Sequence, residues 1–239
     1  MSAEQPLHYL RIRDQLALDI AQQRLAARLP GERELAERFC CTRVTLREAL
    51  QQLETEGVVY RENRRGWFVS PPRVRYNPTR TVGFMDYVAA QGRVPRTETL
   101  RREHARADAA IALRMGLEEG AALLRIERRR WVDERPVLLE HILLDAAWCS
   151  PALLEEDLDT SLTRLLQERF DLRPRRCDLA MHPCALGAIE ADSLQLAPGS
   201  PGLFLERLSY ADGVRAVELD QEFWRPDALE IVMQVQYPD

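Results

Sequence analysis

The chain has 239 residues, a formal net charge of −5 and five cysteines. No apolar run approaches the roughly 20 residues of a membrane span and the N-terminus lacks a signal-peptide pattern, so the expected location is cytoplasmic, away from membranes. An odd cysteine count without CxxC spacing, and four scattered histidines (8, 104, 141 and 182), exclude a disulfide framework and leave no metal-ligand spacing.

The length suits one small and one medium domain. Residues 6–28 carry Ile12, Leu16 and Ile20 at four-residue steps, which predicts a first helix packed behind a recognition helix. From Glu32 to Phe39, Leu35, Ala36 and Phe39 share a face. After a break at Cys40–Arg43 a second periodic segment carries Leu46, Ala49, Leu50 and Leu53. Thr42 is placed to cap it and Gly57 to end it. Val58–Tyr60, a polar tip from Arg61 to Gly66, and Trp67–Val69 predict a hairpin. Two helices joined by a tight turn present the second to the DNA major groove, with the hairpin as a wing. Global charge does not carry that reading, because residues 1–72 hold 11 Arg against 10 acidic residues. Local placement does. Arg43, Thr45 and Arg47 lie in the first turns of the second helix, Arg33 begins the helix before it, and Arg64, Arg65 and Gly66 form the hairpin tip, where phosphates and base edges are in reach. Cys40 and Cys41 fit the turn as small fillers; a redox role is the competing reading.

The segment Leu29-Pro30-x-Glu32-Arg33-Glu34-Leu35-Ala36, with Thr42-Arg43-x-Thr45-x-Arg47-Glu48-Ala49-Leu50 and Leu53-Glu54-x-Glu56-Gly57, resembles the DNA-binding domain of the GntR family of bacterial regulators. Gly31 stands where that family usually has Ser, and Cys40 where it favours Gly.

Ser70–Arg80 contains three prolines and no periodicity. The expected domains are therefore 1–72 (winged helix-turn-helix), 73–80 (linker) and 81–239 (effector-binding). The last contains a repeat. Met115–Gly120 returns as Leu194–Gly199, Glu127-Arg128 as Glu206-Arg207, and Asp133 as Asp212, always 79 residues apart. Each copy reads as helix, strand, Asp-centred turn and strand: Leu123–Trp131 with Val137–Leu144, and Leu203–Tyr210 with Ala216–Trp224. A mostly helical stretch, Pro151 to Phe170, joins them. Two such units predict an antiparallel α+β domain with an internal two-fold repeat, and ligands often sit where halves meet.

Side-chain alternation puts Leu124, Ile126, Arg128 and Arg130 on one strand face. If the aliphatic pair faces the core, the arginines point inward and need anions. Internal partners such as Glu140 or Glu218 are one answer, and an anionic ligand gripped by planar guanidinium groups is the other. Ser161 is placed either to donate to that anion from a helix N-terminus or simply to cap its helix. Glu218, Asp220 and Glu222 alternate on one strand face; an ammonium on the ligand would suit them, while solvated surface charge is the default for Asp220 and Glu222.

This half, roughly residues 80–236, is similar to the UTRA effector domain of the HutC branch of the GntR family. The similarity rests on Arg128-x-Arg130, Glu140, Ser161-Leu162, Glu218 and Trp224-Arg225-x-Asp227, with Trp224 and Thr163 replacing usual tyrosines. It implies a chorismate-lyase-like antiparallel sheet and an effector site of Arg128, Arg130, Glu140, Ser161, Thr163, Glu218 and Trp224. The expected function is a ligand-responsive transcription regulator, a repressor of a catabolic operon. Its expected partners are double-stranded operator DNA, a small anionic effector (a phosphonate or phosphorylated compound) and a second copy of itself. No catalytic residue, metal or cofactor is expected, since there is no nucleophile–base pair, H-E-x-x-H or P-loop. A lyase-like enzyme tethered to a DNA-binding module is the alternative, because fold alone does not settle function. An architectural DNA-binding protein fits poorly with so large a repeat-built domain.

Overall fold

A computed structural model describes residues 8–62, 65–80, 82–211 and 215–236. Three helices come first: α1 (His8–Ala21), α2 (Glu32–Arg38) and α3 (Arg43–Thr55). Leu46, Ala49, Leu50 and Leu53 of α3 are fully buried in one core with Ile12, Leu16 and Leu35. Each large aliphatic side chain so buried contributes about 1.5–3 kcal/mol. The Thr42 hydroxyl accepts from the Thr45 backbone N–H at 3.2 Å, and Gly57 leaves the helix at φ +72°. Buried Asp19 ties α1 to α2 by accepting from Arg38 at 2.6 Å and Gln15 at 2.9 Å. Cys40 adopts φ +48°, a left-handed conformation, which explains why glycine suits this turn.

The hairpin consists of β1 (Val59–Glu62) and β2 (Gly66–Val69), paired antiparallel. The first helix is shorter than residues 6–28. It stops at Ala21, Gln23 turns at φ +56°, and residues 27–29 run along β2 instead. Leu29 N–H donates to the Trp67 carbonyl and Val69 N–H to the Ala27 carbonyl. The periodic apolar face ends at Ile20, and beyond it the backbone is used by the wing.

Residues 73–80, expected as an irregular linker, contain β3 (Val74–Tyr76), which pairs in parallel with β10 (Leu229–Ile231) near the C-terminus. Val74 and Tyr76 are buried, so this segment is anchored in the second domain's core by long-range pairing that local sequence does not announce.

After α4 (Phe84–Ala89) the repeat unfolds in order. The first half is β4 (Pro95–Arg106), α5 (Ala109–Met115), β5 (Ala122–Val132) and β6 (Arg135–Asp145). A 3-10 turn (Pro151–Glu155) and α6 (Leu162–Arg169) follow. The second half is β7 (Arg176–Ala185), α7 (Ala188–Ser193), β8 (Pro201–Tyr210) and β9 (Ala216–Trp224). The six strands form one sheet in the order β4-β5-β6-β9-β8-β7, so the halves join antiparallel at β6 and β9. The predicted α+β repeat is present, and each copy also begins with a long strand that the periodicity did not reveal. Asp133 and Glu134 make the first hairpin turn with φ +49° and +60°. Asp212 lies outside the described residues.

The domains touch through the wing. Arg135 and Arg225 approach the Tyr60 ring, at 3.9 and 4.9 Å from its centroid. Asp227 accepts from Arg135, from Arg225 at 3.2 Å and from the Ser70 hydroxyl at 3.1 Å. Burial alone would raise the Asp227 carboxyl, but Arg225 and Arg135 outweigh it and hold it below the usual range. Arg73 donates to the Glu56 carbonyl at 2.7 Å at the foot of α3.

Candidate functional site

On the reader, Arg43 and Arg47 are exposed at the start of α3, and Arg33 is exposed on α2 beside Glu37 at 3.5 Å. Thr45 is held to Thr42, hydroxyl to hydroxyl, at 3.0 Å. Arg47 donates through Nε to Glu32 at 2.7 Å, and Glu32 also accepts from the Trp67 indole at 3.2 Å. That carboxylate therefore poises Arg47 between recognition helix and wing. Arg65 pairs with Glu62 and lies over Phe68, while Gly66 turns at φ +101°. Arg64 falls outside the described residues. Arg28 and Arg61 join Arg47 and Arg65 around the same cleft. Sequence reading missed both, since Arg28 reaches the wing only through the strand-like path of residues 27–29.

The second site is a cavity of about 190 Å³ beneath α4, between the two halves of the sheet. Parity places Arg128 and Arg130 there as expected, buried with Leu124 and Ile126. They are not an open cationic pair. Glu140 takes Arg128 Nε at 2.8 Å and Arg130 Nη2 at 3.2 Å, while Arg130 Nη1 donates to the Thr97 hydroxyl at 2.7 Å. Burial by itself would raise Glu140, yet the two arginines outweigh it and hold the carboxyl low. The internal salt bridge is thus made, and the arginines line the cavity as well.

Across the junction the balance reverses. Arg207 of β8 faces Glu222 at 3.3 Å and the Tyr76 hydroxyl. Ser209 donates to Glu218 at 2.8 Å, and the Trp224 indole donates to Glu222. Asp220 and Glu222 are buried rather than solvated, because β9 is a central strand whose cavity face is covered on both sides. Burial, then the charges of Glu140, Glu222 and Glu218, holds the Asp220 carboxyl well above its ordinary range. Burial likewise raises Glu218 and Glu222.

Glu140, Glu218 and Thr163 line the cavity, but two expected site residues do not. Ser161 caps α6, accepting from Arg164 N–H at 3.4 Å, and packs behind the wall at Gly83. Trp224 is fully buried against Phe84, with ring centroids 6.3 Å apart, and acts behind Glu222. The added residues are Tyr76, Asp220, Glu222 and Arg207, with exposed Arg80, Arg175 and Arg176 at the mouth. Arg207 was within reach of sequence reading, since it occupies the position in the second repeat that Arg128 holds in the first. Among the described residues, the oxygens of Glu140, Asp220 and Glu222 lie within 4.8 Å of one another, a spacing that a metal ion would fit. Glu140 and Glu222 already bind guanidinium groups, and Arg128, Arg130 and Arg207 oppose a further cation of high charge.

No described helix is long and apolar enough to cross a membrane. Residues 8–69 match the family model of bacterial regulatory proteins of the gntR family, and residues 90–230 match the UTRA domain. The chain is 27% identical to the transcriptional repressor NagR of Bacillus subtilis, over 95% of this chain and 93% of NagR. It is 30% identical to the transcriptional regulator Rv0792c of Mycobacterium tuberculosis, over 91% and 81%. The crystal structure of PhnF from Mycobacterium smegmatis superimposes with a TM-score of 0.64 at 28% identity, covering 94% of this chain and 100% of that one. The two family models together cover both the helical reader with its wing and the two-fold sheet with its cavity: the chain belongs to the GntR family of bacterial transcription regulators, in the branch that carries a UTRA effector domain.

Proposed function

We propose that this regulator is a repressor that leaves its operator when a small anionic metabolite enters the cavity. The observation that carries this reading is the path from cavity to wing. Strand β9 contributes Glu218, Asp220 and Glu222 to the cavity and ends at Trp224, directly before Arg225 and Asp227, which hold Tyr60 and Ser70 of the reader. A ligand that shifts Glu222 moves Trp224, and with it the grip on the wing. A coupling of about 1–3 kcal/mol suffices to change DNA affinity ~5–150-fold, and DNA must weaken effector binding equally.

The effector's anion, a phosphate, phosphonate or carboxylate, is drawn by Arg80, Arg175 and Arg176 at the mouth and by Arg128, Arg130 and Arg207 within, since guanidinium groups grip such anions through paired bonds. NagR is named a repressor, which supports the sign of regulation. On the DNA side, Arg43 and Arg47 read the major groove, Thr45 and Arg33 hold the backbone, and the tip with Arg64, Arg65 and Gly66 meets phosphates or the minor groove. A homodimer reads a pseudo-palindrome, because one recognition helix contacts too few base pairs for useful specificity. The non-enzymatic reading rests on the family, whose named relatives are transcription regulators.

The test is a mobility-shift titration of the full chain on its own upstream DNA, with a panel of phosphorylated, phosphonate and carboxylate metabolites. The expected result is release by one class of anion. A variant carrying Arg128→Ala, Arg130→Ala and Glu140→Ala, which removes the pair together with its counter-ion, should bind DNA yet no longer respond. Parent-like release from that variant places the anion elsewhere. Chemical conversion of the releasing compound during incubation overturns the sensor reading in favour of an enzyme.

A further inference from the structure

We propose that the β9 side of the cavity is a cation subsite, in which Asp220, flanked by Glu218 and Glu222, receives the ammonium of an amine-bearing effector whose anionic end the arginines hold. The inference rests on the anion reading above and adds the second pole of the ligand.

Three observations converge on it. First, the cavity is lined by three inner guanidinium groups, Arg128, Arg130 and Arg207, against four carboxyls, Glu140, Glu218, Asp220 and Glu222. Second, among the described residues the neighbouring acids have donors while Oδ1 of Asp220 lacks one. Glu140 takes two arginines, Glu218 takes the Ser209 hydroxyl, and Glu222 takes Arg207 and the Trp224 indole. Asp220 is 6% exposed, and its Oδ1, shielded from solvent, has no hydrogen-bond partner among the described residues. Third, carboxylate oxygens of Glu140, Asp220 and Glu222, all buried, lie within 4.8 Å of one another, too close for all three to stay charged, so a proton is held among them.

The charged and titratable groups that line the cavity with Asp220 come from each surrounding element: Arg128 and Arg130 on β5, Glu140 on β6, Cys177 on β7, Arg207 on β8, Tyr76 on β3 and Tyr87 on α4. Arg207 lies opposite Asp220 in the strand register, yet it is turned to Glu222 and Tyr76. A protonated acid with an unmet acceptor is a site where a primary ammonium can replace the proton. The –NH3+ enters, the carboxyl proton leaves to solvent, and the net charge of the cavity is unchanged. The ammonium supplies three donors, enough for Asp220 Oδ1 and both flanking glutamates. A ligand hydroxyl would satisfy Oδ1 as well, but without expelling a proton.

Isothermal titration of the full chain separates these cases. The probes are phosphoethanolamine, ethyl phosphate (the same anion without the amine) and ethylamine, run at pH 7 in two buffers of different ionisation heat. The expected outcome is at least tenfold tighter binding of phosphoethanolamine than of ethyl phosphate. Up to one proton should be released per site, and affinity should rise with pH by up to tenfold per unit while Asp220 is protonated in the free protein. Asp220→Asn should lose both the preference and the proton release. Equal binding of the two phosphates, binding without proton release, or release that persists in Asp220→Asn overturns the cation subsite. Binding of ethylamine alone leaves the subsite standing and removes the anion reading; binding of none of the three removes both. The comparison of probes on the parent protein decides the matter even if the variant folds poorly.

Discussion

The two halves of the repeat build the same frame and fill it with opposite charge. In each, an arginine on the inner strand lies in register with an acid on its hairpin partner, Arg128 with Glu140 and Arg207 with Asp220. In the first half a second arginine, Arg130, joins, and one carboxylate serves two cations. In the second half a single arginine faces Glu218, Asp220 and Glu222. A repeated frame thus gives the cavity one arginine-rich and one acid-rich wall, because alternation on a strand fixes which positions look inward while leaving their chemistry free to diverge.

The largest effect should come from breaking the balanced half. Glu140→Ala leaves two buried guanidinium groups without their carboxylate, and removing one partner of a buried ion pair destabilises by about 3–5 kcal/mol. A urea or thermal melt of the full chain should show the loss in the effector domain's transition. A loss under ~1 kcal/mol would mean that solvent reaches the arginines.

The mirror change, Arg207→Met, should be milder. Its acids can take up protons instead of remaining as buried charges, so the remaining penalty is that of unmet hydrogen bonds, about 1–3 kcal/mol. Equal losses for the two variants would show that the halves are balanced after all.

Stability against pH sharpens the contrast further. Burial and mutual repulsion raise Glu218, Asp220 and Glu222 in the folded protein. Groups raised on folding contribute stability that is fully present below their unfolded pKa and lost as pH rises through the folded value. The melting temperature of the effector domain should therefore fall as pH rises from about 5 towards 8, and Asp220→Asn should flatten the slope. Glu140 and Asp227 are lowered instead, so their stabilisation disappears only at more acidic pH, below the ordinary carboxylate range. A profile flat from pH 5 to 8 in the parent would remove the premise of a protonated wall.

The smallest expected effect lies outside both halves. Cys40→Gly relieves a left-handed backbone that disfavours side chains by about 1–2 kcal/mol, offset by glycine's greater freedom when unfolded, for a net gain of roughly 0.5 kcal/mol. Differential calorimetry showing a loss would mean that the Cys40 side chain contributes packing of its own.

What the sequence alone determined is whatever local chemistry encodes. The apolar spacing of α3, its Thr42 cap and its Gly57 stop act within one or two turns, and the reader followed from them. The 79-residue echo and the parity of Arg128 and Arg130 likewise needed only the chain itself. Tertiary structure decided what stands across from each residue. The β6–β9 junction buried Asp220 and Glu222, which by composition alone belong in solvent. The β3–β10 pairing turned an expected linker into a wall that brings Tyr76 to Arg207, 131 residues away. Packing against Phe84 withdrew Trp224 from the cavity, and capping of α6 withdrew Ser161. Alternation along a strand says which way a side chain points; only the neighbouring strands, set by long-range pairing, say whether a salt bridge, an unmet acceptor or solvent meets it there.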